Sequence, residues 1–354
     1  MAKGSAADPE MRIRMIRITG TGSAVPARRV TNDDLGKIVD TSDEWIRSRT
    51  GIESRYLAVE ETTTGLSAEA AKKALAAAGV SAEELDLIIA ATVTPDRFLP
   101  NLSCEIQREL GAKNAVAFDL NAACSGFLFS LDTAYMYLRT GRYRKALIIG
   151  AETLSKIIDW TDRSTCVLFG DGAGAAVLEN VPEETGCADR ASGAATGNGA
   201  GESRGILSIR MGSDGGRGMV LSCDNRPVSN PYVKRESGLS YVSMDGQEVY
   251  KFAVRTVPHI IGLAVEEAGL AVEEIDLFLL HQANIRIIEA VAKRLRQPME
   301  KFPVNLRDCG NISAASVPIL LDNVRKHDMI KKGSKIVLAG FGAGLTWGAT
   351  VLEW

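Results

Sequence analysis

"AGVSAEELDLIIAA" (residues 78–91) and "AGLAVEEIDLFLLH" (residues 268–281) are one passage written twice, 190 residues apart. In each, a glycine (Gly79, Gly269) closes a helix, a short acidic turn follows, and an apolar run of strand length comes next. Two further pairs repeat in the same order. "KALIIGA" (145–151) parallels "KIVLAGF" (335–341), and "GAAVLE" (174–179) parallels "GATVLE" (348–353). One match could be chance; three in the same order are an internal duplication.

Helical and strand patterns alternate around these landmarks. The first half reads as helix 66–78, strand 86–92, helix 103–111, strand 115–121, helix 125–140 and strand 145–151. The strands are apolar without alternation, so both faces of each sheet are covered by helices. The fold class is therefore α/β, with two similar halves at 11–184 and 206–354. Between them, residues 185–205 are rich in Gly, Ala and Ser and read as a flexible insertion. The polar "MAKGSAADPE" (1–10) reads as a disordered extension. "GTGSAV" (20–25) follows a strand but lacks the third glycine of a dinucleotide loop.

With 354 residues, 45% apolar and 24% charged, the chain has the composition of an ordinary globular protein. A net charge of −3 gives no general attraction to nucleic acid or anionic membranes. No apolar run reaches the ~18 residues that span a bilayer, so no membrane insertion is expected. The six cysteines (Cys104, Cys124, Cys166, Cys187, Cys223, Cys309) form no CxxC pair and no metal-like cluster with histidine. That usage implies free thiols, no metal and a cytoplasmic location.

In duplicated α/β folds, ligands collect where strand C-termini from the two halves meet. Three polar residues fall there. Cys124, in "DLNAACSGFLFSLDTAYMYL" (119–138), follows a strand and opens a helix. His281 ends strand 275–280. Asn311 follows the strand-like "FPVNL" and precedes a helix. Taken singly, each has a plain structural reading: a core thiol, a strand-end imidazole with partners, a turn or N-cap residue. The other two histidines lie in helical stretches, His259 within 246–268 and His327 near a helix C-terminus. Together, the three residues suit thioester chemistry. A helix N-terminus and a nearby imidazole both lower a thiol's pKa, so a resting thiolate is expected. Asn does not titrate near neutral pH, but it donates N–H to a developing oxyanion.

The chain resembles the β-ketoacyl-[acyl-carrier-protein] synthase III family, the priming condensing enzymes of bacterial type II fatty acid synthesis. The resemblance rests on "TSDEWIRSRTGI" (41–52), "NAACSGF" (121–127), "TDRSTCVLFGDGAGAAVLE" (161–179), "HQANIRII" (281–288), "GNISAASVP" (310–318) and "GFGAGLTWGA" (340–349). It implies the thiolase-like fold, a duplicated five-layer α-β-α-β-α structure. It also implies a cofactor-free condensation of acyl-CoA with malonyl-ACP, a homodimer, and acyl carrier protein as partner.

The resemblance assigns residues as well. Cys124 matches the acylated nucleophile, and His281 and Asn311 the decarboxylation pair. The backbone N–H groups of Cys124 and Ala343 match an oxyanion hole, with Phe341 beside the cysteine. Trp45, Arg49, Thr50 and Arg163 match groups on the CoA adenine and phosphates. Gly246, Gln247, Tyr250, Ala283 and Asn284 match the pantetheine path. Arg286, Lys251, Lys293 and Arg294 match the carrier-protein docking face, for which a solvated helix face is the plain alternative. Leu99 stands where an aromatic residue closes the partner's acyl pocket, which points to a longer or branched primer. Ile312 replaces a hydroxyl-bearing residue, and Gln247 stands where Asn is common.

Rivals of the same fold differ at defined positions. Biosynthetic thiolases place a second cysteine at position 311, whereas the nearest here is Cys309. Hydroxymethylglutaryl-CoA synthases need a glutamate before the nucleophile, and residues 90–101 offer only Asp96. Polyketide-type, olefin-type and secondary-metabolic condensing enzymes stay open. From other classes, a Cys-His-Asn thioester hydrolase would discharge the acyl-enzyme to water. A non-catalytic acyl or carrier-protein binder has no use for the three polar residues.

Overall fold

The apolar run after each acidic turn is a strand buried on both faces. The structure is a computed structural model, in which residues 14–182, 205–235, 238 and 240–354 are described. The segment 1–10, and 185–205 apart from Gly205, lie outside the described residues. The strands of the two large sheets, in chain order, are β1 (Arg14–Ala24), β2 (Leu87–Ala91), β3 (Val116–Leu120), β4 (Lys145–Thr153), β5 (Asp171–Pro182), β6 (Gly205–Gly218), β7 (Leu277–Leu280), β8 (Lys335–Gly342) and β9 (Gly344–Glu353). The main helices are α1 (Asp43–Thr50), α2 (Thr63–Ala78), α3 (Leu102–Leu110), α4 (Gly126–Arg139), α5 (Gly246–Glu267), α6 (Ile285–Leu295) and α7 (Ser316–Lys326).

The first sheet has the order β1-β5-β4-β2-β3, and the second β7-β8-β9-β6. In each, two neighbouring strands run parallel (β2 with β4, β7 with β8) and the next two pairings are antiparallel. Strand alternation sorts the core into layers. Leu87 and Ile89 of β2, and Leu277 and Leu279 of β7, point inward to a common core with α4 and α7. Ile88 and Ala90 pack outward with α2 and α3. Phe278 and Leu280 pack outward with α5 and α6. The sequence of layers is thus helices, sheet, the α4–α7 pair, sheet, helices: the expected five.

The 190-residue offset holds down to single atoms. Lys145 bonds Glu84 at 2.6 Å, and Lys335 bonds Glu274 at 2.9 Å. The Asp86 carboxylate accepts the Lys145 N–H, and Asp276 accepts that of Lys335. The turns Ala123–Ser125 and Ser313–Ala315 are both 3-10, and Ala123 (φ 45°) and Ser313 (φ 43°) are both left-handed. The two turns meet between the sheets, one before α4 and one before α7.

One expectation fails in this region. "FPVNL" is not a strand: residues 303–305 are irregular and Leu306–Cys309 is a short helix. Pro303 has no N–H for a ladder. The Gln282 side-chain oxygen takes the N–H groups of Asn305 (3.1 Å) and Leu306 (3.2 Å) instead. The second sheet therefore has four strands among the described residues, and Asn311 is held by a single parallel bridge to Phe169.

Candidate active site

Cys124, His281 and Asn311 line one cavity of about 980 Å³ between the halves, together with Ser313, Phe341 and Ala343. Each arrives from a different direction: Cys124 from the turn before α4, His281 from the end of β7, Asn311 from the turn before α7. Glycine lets them close together. A Cβ on Gly342, at the end of β8, would lie 2.7 Å from the Cys124 backbone nitrogen. Thr346 of β9 fastens the cysteine turn to the Ala343 loop. Its hydroxyl lies 3.2 Å from the Ala122 carbonyl and 3.1 Å from the Ala343 carbonyl, and its own carbonyl accepts from Ser125 Oγ at 3.1 Å.

The Asn311 amide is oriented by its backbone neighbour. Its Oδ1 accepts the Ser313 N–H at 2.9 Å, which leaves Nδ2 as a donor. His281 is 3% exposed and meets Phe341 edge-on, with ring centroids 5.5 Å apart. Its Nδ1 is buried without a partner among the described residues. A buried orphan N–H is rarer than an orphan acceptor, so the proton belongs on Nε2, the nitrogen open to the cavity. Burial lowers the imidazole pKa to about 3, so the ring is neutral. Two neutral N–H donors thus face the cavity beside the thiol.

The thiol reverses one expectation. Burial pushes Cys124 up to about 12; the Glu152 carboxylate pushes in the same direction and the Ser313 hydroxyl opposes it. No imidazolium stands by to stabilise a thiolate, because His281 is neutral, so the resting cysteine is a thiol. Sequence reasoning also missed two residues here. Ser313 lines the same cavity as the thiol, and Glu152 is a fully buried carboxylate at the end of β4. The available signal was an acidic residue ending an otherwise apolar strand, "KALIIGAET".

The residues matched to CoA divide into groups. Two guanidinium groups lie over the Trp45 ring, Arg49 4.6 Å and Arg163 4.8 Å from its centroid. This stack adjoins the cavity wall, since Asn284 lines the cavity and donates to the Arg49 carbonyl at 3.1 Å. Gly246, Tyr250 and Ala283 also line the cavity, whereas Gln247 is exposed and does not. Thr50 departs from expectation: it is 4% exposed, and its hydroxyl donates to the Ile46 carbonyl (2.7 Å) and accepts from Ile52 N–H (3.0 Å). That hydroxyl closes the end of α1 and offers nothing to a surface ligand.

Arg286, Lys251, Lys293 and Arg294 are exposed. Lys251 already pairs with Glu248 at 2.8 Å, and Arg286 donates to the Ser48 carbonyl at 2.8 Å. Leu99 is 85% exposed on the segment whose residues 93–98 line the cavity. Among the described residues no helix is long and apolar enough to cross a membrane.

A duplicated pair of sheets about two central helices, with a thiol and two N–H donors at their junction, defines a thiolase-fold condensing enzyme. Residues 118–215 match the 3-oxoacyl-[acyl-carrier-protein] synthase III family, and residues 265–354 match its C-terminal region. The β-ketoacyl-[acyl-carrier-protein] synthase III of Clostridium acetobutylicum is 48% identical, over 96% of this chain and 98% of the relative. The crystal structure of the Aquifex aeolicus VF5 3-oxoacyl-[acyl-carrier-protein] synthase III superposes with a TM-score of 0.85 at 44% identity, covering 96% of this chain and all of that one. The priming β-ketosynthase of the R1128 polyketide pathway has a TM-score of 0.86 at 35% identity, covering 99% and 98%. The chain belongs to the β-ketoacyl-[acyl-carrier-protein] synthase III family and is an acyltransferase-type condensing enzyme.

Proposed function

We propose that this enzyme joins an acyl-CoA primer to malonyl-ACP by decarboxylative Claisen condensation, starting type II fatty acid synthesis in the cytoplasm. The products are 3-oxoacyl-ACP, CO2 and CoA. The observation that carries this reading is the convergence of one thiol and two neutral N–H donors on a single cavity.

In the first step Cys124 Sγ attacks the acyl-CoA carbonyl, CoA leaves, and an acyl-thioester remains on Cys124. The N–H groups of Cys124 and Ala343 hold the intermediate's oxyanion. Malonyl-ACP then enters. Its thioester oxygen accepts from His281 Nε2 and Asn311 Nδ2 as the bond to the carboxylate breaks and CO2 departs. The electron pair becomes the enolate, whose carbon attacks acyl-Cys124 and expels the thiolate. Phe341 gives the malonyl carboxylate an apolar neighbour, which favours its loss. The Trp45–Arg49–Arg163 stack binds the CoA nucleotide, and Gly246, Tyr250, Ala283 and Asn284 line the pantetheine path. Arg286, Lys251, Lys293 and Arg294 receive the acidic carrier protein. A homodimer places Leu99 in the partner's acyl pocket.

Likeness to the R1128 priming ketosynthase, together with Leu99 in place of an aromatic, favours one second reading: priming of a secondary-metabolic pathway with a longer or branched acyl group. A panel of acyl-CoAs followed by intact mass of the protein separates the cases. A stable adduct, absent in Cys124→Ala, supports the synthase and names the primer. Acyl-CoA consumed without an adduct indicates a hydrolase, and no reaction indicates a binder.

A further inference from the structure

The only buried cation among the described residues is Arg55, and none of them pairs with it as a carboxylate. It is 0% exposed, in the extended stretch Ser54–Tyr56. Taking a guanidinium out of water without a counter-ion is costly. Burial lowers its pKa only to about 10, so it stays charged at neutral pH. Such a charge depends on its hydrogen bonds, and those bonds show what it holds. One terminal nitrogen donates to the Val167 carbonyl at 2.6 Å, and the other to Asn32 Oδ1 at 2.8 Å.

Val167 leads straight into the segment that carries Asn311. The Asn311 N–H donates to the Leu168 carbonyl at 2.9 Å, and the Gly170 N–H donates to the Asn311 carbonyl at 3.0 Å. These two bonds make the lone Phe169–Asn311 bridge. The Arg55 stem packs beside the same bridge. A Cβ on Gly170 would lie 3.2 Å from Arg55 Cβ, and one on Gly310 would lie 3.3 Å from it. Head and stem thus grip the start and the flanks of one backbone contact. Asn311 belongs to neither large sheet, so no further ladder corrects its backbone if Val167 moves. Leu168, Phe169 and Asn311 line the cavity, whereas Arg55 does not. The second arm of the fork ends at α1: Asn32 Nδ2 donates to Asp43 Oδ1 (2.9 Å) and to the Ile52 carbonyl (2.7 Å). A lysine, as a point donor, cannot reproduce this planar fork.

We infer that Arg55 is the positioning residue for Asn311: through the Val167 carbonyl and the Leu168–Gly170 segment it holds Nδ2 where the enolate oxygen forms. The inference rests on the condensation reading above. An oxyanion donor works only at hydrogen-bond distance, and a displacement of about 1 Å costs about a hundredfold in rate.

The test reads the two half-reactions separately for wild type, Arg55→Met, Arg55→Lys, Asn311→Ala and the double variant Arg55→Met/Asn311→Ala. Acylation is followed by intact mass at saturating acetyl-CoA, so that a change in CoA binding passed through Asn32 and α1 does not enter. CO2 release from malonyl-ACP is followed on enzyme acylated beforehand. Arg55→Met should release CO2 about a hundredfold more slowly and Arg55→Lys about tenfold, with the loss in kcat and the KM for malonyl-ACP little changed. Acylation should stay within about threefold of wild type in both. In the Asn311→Ala background Arg55→Met should cost less than about threefold more, because the group it positions is already gone. If Arg55→Met gives no folded protein, the same comparison is made with Arg55→Lys, alone and with Asn311→Ala. CO2 release at the wild-type rate, loss of both half-reactions by one factor, or an undiminished further loss in the Asn311→Ala background would overturn the inference. A wild-type enzyme that takes no acyl group would overturn the condensation reading itself, and the inference with it.

Discussion

Asn311 has two jobs that substitution can separate. Its Nδ2 is one of two donors for the enolate, and its Oδ1 holds the Ser313 N–H at 2.9 Å. Losing one oxyanion donor costs about 10²–10³ in rate, or roughly 2.7–4 kcal/mol of transition-state stabilisation. Asn311→Ala also strands the Ser313 N–H in a site only 3% exposed, which costs about 1–3 kcal/mol of stability. Asn311→Asp keeps an oxygen for Ser313 and replaces the donor with a second acceptor oxygen. Both variants should therefore lose about 10²–10³ in CO2 release from malonyl-ACP, while only the alanine variant shows the lowered urea midpoint. Acylation of Cys124, read by intact mass, should stay near the wild-type rate in both. Equal loss of the two half-reactions, or a decarboxylation loss below about tenfold, would refute this division of roles.

Stability should depend on pH through two buried groups of opposite sign. Burial takes His281 from 6.5 to about 3, so the unfolded chain binds the proton first and stability is lost as pH falls below 6.5. Burial takes Glu152 from 4.5 to about 7, so stability is lost as pH rises from 4.5 towards 7. The slopes, each up to about 1.4 kcal/mol per pH unit, offset one another between 4.5 and 6.5. Urea midpoints of Glu152→Gln should then rise with pH in that window, and those of His281→Gln should fall; flat profiles in both would contradict the burial assigned here. Leu99→Phe should shift primer competition towards acetyl-CoA by about tenfold, and unchanged selectivity would remove Leu99 from the acyl pocket. Trp45→Ala should raise KM for acyl-CoA about tenfold with kcat little changed, since it removes a stacking surface that does not line the cavity holding the thiol.

The two-sheet architecture was legible because the duplicated strands are short, apolar and buried on both faces, which a parallel sheet between helix layers requires. The convergence of Cys124 and His281 followed from placing each at a strand end. "FPVNL" misled because its β-branched and aromatic residues imitate a strand, while Pro303 and the reach of Gln282 decide otherwise. The direction of the Cys124 shift misled because a helix N-terminus is a local property, whereas burial depends on the packing of both halves. Thr50 looked available beside Arg49, but α1 turns it inward. Glu152 could not be placed from sequence, since its partners Val93 and Thr94 lie 59 and 58 positions away in the chain.

The twin passages 78–91 and 268–281 end on different residues, Ala91 in one copy and His281 in the other. The same offset pairs Cys124 with Ala314 and Asn121 with Asn311. The asparagine persists in both copies because each caps its own turn, Asn121 Oδ1 taking the Ala123 N–H at 3.3 Å. The thiol and imidazole occur once each, in opposite copies. Ala314, 1% exposed, is packed against Gly150 with no opening beside it. The duplication is thus unequal in its chemistry: one copy supplies the nucleophile, the other the proton donors, and neither half alone carries a working set. A split or circularly permuted gene would need both pieces reassembled before any turnover appeared.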